Sequence, residues 1–384
     1  MFFPGARRRT TRIPHAVVTF ALGVTAVSLT VIAWALWAPS PAGNGPGLLA
    51  PAANVTEIRS VAYTIPGPQF DDVVVRPASG ITLPRVVATF PSSGLTNVHA
   101  RGVASPHGDL IAIQWVPAFS TAANLSIVDL RGSSPSVTQV PEVVVDPLST
   151  MAWASDGSRF AVTSTERIAG FEHVTILEVN ADAHTAVPVA EYMDILDASP
   201  VGYSFDGRQL FVVVVDQKGS NLHAIGSGSA EVIAELSPGR TQDWALSPDG
   251  SRLAFVDILG GGSRTYIGRT LVLATGQINT APAARNQFGA TWAPGSPSPG
   301  FGGPGGEWQL TDRGADGVVL VPNAWSPDGA YLVATLNSPV LGEGPPAPPV
   351  IELISRETAT APSARVRISE ASGAAFLGWV SNFD

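Results

Sequence analysis

The sequence predicts an all-β propeller of four-stranded blades, preceded by one N-terminal transmembrane helix. Three observations predict it. A turn-plus-strand motif recurs five times, as SPHGDLIAI from Ser105, ASDGSRFAV from Ala154, SFDGRQLFV from Ser204, SPDGSRLAF from Ser247 and SPDGAYLVA from Ser326. Repeats of 40 to 50 residues built from short strands mark a radial β array. Gly and Pro are abundant, at 39 and 33 of 384 residues, as many tight turns require. The chain also ends on half a repeat, FLGWVSNFD, whose missing strands must come from elsewhere.

The first segment is unlike the rest. Arg7, Arg8, Arg9 and Arg12 precede an uncharged apolar run from Ala16 to Trp37. As a helix this run spans roughly 33 Å, against a hydrocarbon core of about 30 Å. Trp34 and Trp37 close it where aromatic rings favour the headgroup region, and the flanking arginines place the N-terminus in the cytoplasm. The expected domains are therefore a basic cytoplasmic stub at 1–15, a signal-anchor helix at 16–37, a Pro/Gly/Ala-rich spacer at 38–54 and the propeller at 55–384. Small residues around Trp34 leave open cleavage near Ala35 and a secreted product.

Beyond residue 37 the chain carries 18 basic and 31 acidic residues, a net charge of −13. Such a surface argues against nucleic acid or anionic lipid as a partner. The absence of Cys excludes disulfides, thiol nucleophiles and Cys-based metal sites.

Each motif reads as a hairpin. In AWSPDGAYLVATL, Trp325 closes one strand, Pro327 and Asp328 suit the central positions of a type I turn, and Gly329 takes the left-handed conformation that ends it. Tyr331 to Leu336 then alternate as a strand does. Later runs such as NLSIVDLRG and VTILEVNAD supply a third strand, and shorter runs a fourth. The motif glycines 108, 157, 207, 250 and 329 are separated by 49, 50, 43 and 79 residues. The wide last gap contains a degenerate copy, Trp292 to Ser296. Strands between Ile58 and Phe90 would complete the blade that Trp379 begins, closing the ring without a long free edge. Seven blades of about 47 residues follow; six is the alternative, because GSPSPGFGGPGG after Trp292 is no regular strand. The motif tryptophans 153, 292, 325 and 379 are expected between neighbouring blades.

The Trp-Ser-Pro-Asp-Gly pattern followed by apolar-Ala-Phe resembles the TolB-type, WD-like propeller repeat, from about Ile58 to the C-terminus. The resemblance implies the fold and carries no catalytic residue with it. TolB has a second α/β domain and the propeller peptidases a hydrolase domain; this chain has room for neither.

Signals for chemistry are sparse. The letters GFGGPG at 300–305 match GxGxxG but follow no strand and open no helix. There is no Walker loop, nucleophile elbow or HExxH. His99 and His107 lie ~26 Å apart at ~3.3 Å per residue along one strand and cannot share an ion. Glu191, Asp194 and Asp197 cluster in AEYMDILDAS, as a solvated connector or as an acid/base pair. No cofactor or metal is implied.

With strands labelled A to D, the tight A–B and C–D turns share one face of the ring, and the B–C and D–A connections the other. WVPAFSTAAN, STERIAGFEH, residues 186–199, VDILGGGSRTYIGR and NSPVLGEGPPAPPV read as long loops there, and such loops usually carry binding. Their candidate binding residues are Trp115, Phe119, Arg167, Phe171, Glu191, Asp194, Arg264 and Tyr266. The expected function is a non-catalytic platform for another envelope protein. The alternatives are a propeller enzyme of lactonase, lyase or glycosidase type, or the ectodomain of an envelope sensor; oligomeric state is left open.

Overall fold

The computed structural model describes residues 60–381 apart from 79–82, 93–97, 119, 121, 169–170, 227–228, 261–263, 282–285, 304–318, 338–348, 357–364 and 369–372. The expected stub, membrane helix and spacer lie outside the described residues. Among the described residues no helix is long and apolar enough to cross a membrane.

Blade I contains β1 (Ser60–Ile65), β2 (Phe70–Pro77) and β3 (Arg85–Pro91). Blade II runs through β4 (Arg101–Ala104), β5 (Leu110–Trp115), β6 (Ala123–Asp129) and β7 (Ser136–Val145). Blade III is β8 (Met151–Trp153), β9 (Arg159–Ile168), β10 (Phe171–Asn180) and β11 (Thr185–Met193). Blade IV is β12 (Asp197–Tyr203), β13 (Leu210–Asp216), β14 (Gly219–Ile225) and β15 (Ala230–Ser237). Blade V is β16 (Arg240–Leu246), β17 (Arg252–Leu259), β18 (Thr265–Val272) and β19 (Gln277–Thr280). A two-stranded sheet follows, β20 (Phe288–Thr291) with β21 (Gly300–Gly302). Blade VI is β22 (Val319–Trp325), β23 (Tyr331–Asn337), β24 (Val350–Ser355) and β25 (Arg365–Arg367). The last strand, β26 (Ala375–Val380), returns to blade I and pairs antiparallel with β1, Val61 facing Trp379, to give the order β26-β1-β2-β3.

Six blades are thus four-stranded, which corrects the expectation of seven in favour of the alternative of six. The unit on Trp292 keeps its turn, with Gly295 at φ 73° and the Ser296 amide donating to the Ala293 carbonyl at 3.0 Å. Its second strand shrinks to Gly300-Phe301-Gly302, bounded by Pro299 and Pro304. Proline cannot donate to a ladder and glycine has no side chain to pack. Phe301 is buried with Ala290 and Trp292, so this sheet still fills its wedge between β16 and β22.

The motif's residue choices follow from hydrogen bonds. The motif glycines have φ between 67° and 70°, where a side chain is strained, and their amides close the turns on the carbonyl three residues back at 2.8–3.0 Å. The Ser247 hydroxyl accepts from the Arg252 amide at 2.9 Å and donates to Asp249 at 2.6 Å. That hydrogen bond holds the Asp249 carboxyl below its ordinary pKa. Ser204–Asp206 and Ser326–Asp328 repeat the arrangement. In SPHG the histidine occupies the Asp position, and Ser105 turns instead to Asp109 at 2.7 Å.

Tryptophans join the blades. Trp153 Nε1 donates to the Val103 carbonyl at 3.0 Å, Trp292 to Ala245 at 3.0 Å and Trp379 to Ala324 at 3.4 Å, each reaching the first strand of the preceding unit. All three rings are buried, as expected for aromatic bodies with one polar handle. These first strands lie against one another around the axis, and most bulge; in β16 the bulge puts buried Asp243 at φ 55°.

Candidate binding face

Polar groups tie neighbouring blades together on both faces of the ring. On the tight-turn face, groups from one blade engage the next. His107 Nε2 lies 3.1 Å from the Asp156 carbonyl, Arg159 donates to the Gly207 carbonyl and Arg252 to the Pro297 carbonyl. The Ser381 amide closes the circle on Gly108 at 2.9 Å. Arg159 also pairs with Glu178 at 3.1 Å, and Glu178 accepts from the Tyr203 hydroxyl at 3.0 Å. Burial and the adjacent Glu178 carboxylate raise the Tyr203 pKa.

The opposite face carries the connectors between blades, and neighbouring strands hold two of them in place. Residues 146–150 lead into β8 and residues 194–196 lead into β12. The Asp146 amide donates to the Thr163 carbonyl at 3.0 Å, while the Thr163 hydroxyl donates to Ala198 at 2.7 Å. The Thr150 hydroxyl reaches the Pro200 carbonyl at 2.9 Å. Gln114 Nε2, from blade II, donates to both Pro147 and Ser149 carbonyls, at 2.9 and 3.1 Å. The Leu196 amide donates to Val215 at 2.7 Å. So pinned, these segments expose Leu148 (39%), Leu196 (48%) and Met193 (59%). Isolated exposed apolar residues are ordinary; these three fall on two successive inter-blade segments, Met193 at the end of β11.

Acids neighbour these apolar residues in the chain. Asp197 opens β12, and Ser199 donates to it at 3.3 Å. The residue reaches solvent, yet protein surrounds its carboxyl closely; lost hydration, and then the charge of Asp146, raise its pKa to about 6, while Arg240 pulls the other way. Asp194 is exposed at φ 58°, a left-handed conformation that Asp tolerates better than most residues. Among the described residues no group of three or more His, Asp or Glu is placed to hold a metal ion.

The predicted residues are spread over three blades. Trp115 ends β5 half-buried; its Nε1 donates to Ser126 at 3.0 Å and its ring lies 5.8 Å from Phe90, so it bridges blades I and II. Phe119 lies outside the described residues. Arg167 is exposed in β9 opposite Glu172, and Phe171 begins β10 opposite Ile168. Glu191 is exposed in β11, its carboxylate 3.4 Å from His173 Nε2. Arg264 is exposed just before β18. Tyr266 lies half-buried in β18, its ring 4.7 Å from Phe288.

Three supposed loops are mostly strand: 164–173 is the turn of the β9–β10 hairpin, 186–199 is largely β11 and β12, and 256–269 is largely β17 and β18. The strands of these hairpins run further than the sequence reading took them. Leu148, Met193 and Leu196 were not singled out; the available signal was exposed aliphatic residues in a short, polar connector.

These features define a β-propeller whose inter-blade connectors share one face. No family model and no curated protein matches the sequence. Among solved structures, TolB from Acinetobacter baumannii shares 15% identity at TM-score 0.50, over 83% of this chain and 67% of that one. A prolyl endopeptidase gives 11% identity at TM-score 0.51, over 92% of this chain and 55% of that one. The acylaminoacyl peptidase of Pyrococcus horikoshii gives 11% at TM-score 0.50, over 79% and 48%. The chain thus spans about half the length of the two peptidases. Identities this low establish the fold alone.

Proposed function

We propose that the protein is a membrane-tethered, extracytoplasmic propeller that binds another envelope protein through its connector face and catalyses no reaction. One observation carries this reading: Leu148 and Leu196, on connectors, and Met193, at the end of β11, are exposed on segments that neighbouring blades hold in place. A preformed apolar patch with a charged border has the anatomy of a protein-binding surface, and its rigidity lowers the ordering entropy of association. The acids Asp146, Asp194 and Asp197 suit a partner segment that is apolar with basic flanks. The basic residues before the apolar 16–37 run support the tether.

The test is crosslinking in intact cells from a photoreactive side chain placed at Leu196 or, separately, at Arg208, followed by mass spectrometry. The reading expects a specific envelope protein from position 196 and none from 208. Equal yields from both positions contradict it. Protease added to spheroplasts should remove the propeller; full protection of a C-terminal tag contradicts the topology.

A further inference from the structure

In blades II to VI the second and third strands pair at one repeated position of the motif. There Ile113 stands opposite Ser126, Val162 opposite Leu177, Val212 opposite His223, Phe255 opposite Arg269 and Ala334 opposite Glu352. Opposed residues of an antiparallel pair share a sheet face. Here that face looks toward the preceding unit. Val212 shares a core cluster with Ile176 of blade III, Phe255 with Val213 of blade IV, and Ala334 with Ala293 of the two-stranded unit.

The polar residues at this position are matched, with one exception. Ser126 accepts from Trp115 Nε1 at 3.0 Å. His223 meets the ring of Tyr192 edge-on at 5.4 Å, from the fourth strand of the preceding blade. Arg269 pairs with Asp257 at 2.9 Å, and Asp257 accepts from Ser237 of the preceding blade at 2.6 Å. Glu352 is 5% exposed, its Oε2 is closed off from water without a hydrogen bond, and it forms no ion pair among the described residues. Arg367 stands opposite it on β25 but is exposed.

The shortened unit accounts for the exception. Where the preceding blade has four strands, its outer strands bring Tyr192 and Ser237 to this position. The unit before blade VI has only β20 and β21 among the described residues, and both lie against the axial strand β22. Glu352 sits two strands further out. Around it on the same face are Val350 and Ile354 of β24 and Leu332, Ala334 and Leu336 of β23, all apolar. A carboxylate in such a wall is strongly unfavourable unless a cation meets it.

We propose that Glu352 is the anchor of a binding site for an organic cation, an alkylammonium or guanidinium group on an apolar stem, entering between blade VI and the two-stranded unit. The carboxylate selects the charged head and the wall around it the stem. A Lys or Arg side chain of a bound segment and a free amine share this chemistry. The site stands independently of the connector-face reading.

The experiment is thermal unfolding of the whole chain in detergent, titrated with n-butylammonium chloride and, separately, with the extended peptide acetyl-Val-Lys-Val-amide, against sodium chloride at matched ionic strength. The chain's net charge of −9 attracts cations to its surface in general, so the measured quantity is the difference between wild type and Glu352→Gln. Wild type should show a saturable rise in melting temperature with at least one probe. A peptide response at about tenfold lower concentration assigns the site to a chain segment, and a butylammonium response at equal or lower concentration assigns it to a free amine. Glu352→Gln should lose the rise while melting no lower than wild type without probe. Glu352→Asp, whose charge is one methylene shorter, should need about tenfold more probe. Parallel responses in wild type and Glu352→Gln, or no response to either probe, would overturn the proposal. So would a lower melting temperature of Glu352→Gln without probe. Coupling of Glu352→Gln to Arg367→Met, or to Arg313→Met, in a double-mutant cycle would also overturn it, by giving Glu352 a partner within the chain.

Discussion

Replacing Trp379 by Ala tests how the ring is held shut. Trp379 is 2% exposed on β26 and packs with Val61, Tyr63, Val74, Ala324, Val333, Ile351 and Leu353, which come from blades I and VI. Its hydrogen bond to Ala324 is long, at 3.4 Å, so packing dominates its contribution. Truncating a buried Trp to Ala costs about 3–5 kcal/mol. An unfolding entropy of about 2.1 cal/mol/K per residue, applied over the propeller, converts this to a melting-temperature loss of roughly 4–7 °C. Deleting 376–384 goes further, removing most of the β26–β1 ladder and the strand that lies against β4. Its free β1 edge should also promote association. The assay is calorimetry of wild type, Trp379→Ala and the truncation at one protein concentration. A Trp379→Ala protein within 1 °C of wild type, or a truncation with unchanged unfolding, would refute closure through β26.

Four further outcomes follow. Asp243 accepts from the Gly289 amide at 2.7 Å, and burial raises its pKa to about 6, so folding favours its protonated form; this contribution is full below about pH 4 and is lost as pH rises through 6. Asp243→Asn should match wild type near pH 4 and exceed it at pH 7, by at most about 3 kcal/mol; an Asn variant less stable at pH 7 contradicts the burial account. Gly378→Ala, with its new Cβ 2.5 Å from Ala104 Cβ and φ at 147°, should melt lower than wild type, and an unchanged melting temperature counts against the β26–β4 approach. Arg252→Ala should destabilise because it unties two turns, whereas exposed Arg208→Ala should stay within about 0.5 kcal/mol of wild type; equal effects contradict the turn-to-turn ring. Ser247→Ala should lose roughly 1 kcal/mol through its three turn bonds, and no loss in denaturant unfolding contradicts their role.

The propeller was legible because its signals are local. Turn residues at fixed offsets, glycines at φ near 68° and alternating strands each announce themselves within a dozen residues, and the lone half-repeat at Trp379 pointed to its distant partner. The blade count was harder, because Trp292 and Gly295 preserve the start of a unit whose second strand is cut to three residues. The binding face was least legible. Asp197 was read as one of three connector acids, yet its environment is set by Asp146, 51 residues earlier, and by Arg240 in the next blade. Arg252, which reads as a surface residue beside a turn, proved to be an inter-blade tie.

The central claim is that the connector face, and not the tight-turn face, engages a partner. Its most direct test is capture of the crosslinked partner by purified protein, comparing wild type with Leu148→Ser/Met193→Ser/Leu196→Ser and with Arg208→Ala. Exposed changes of this kind leave folding near wild type, whereas removing apolar anchors from an interface costs ~2 kcal/mol or more, about thirtyfold in affinity. The account predicts that the triple variant loses at least thirtyfold in affinity at unchanged melting temperature while Arg208→Ala binds as wild type. Undiminished capture by the triple variant, or loss confined to Arg208→Ala, would contradict it.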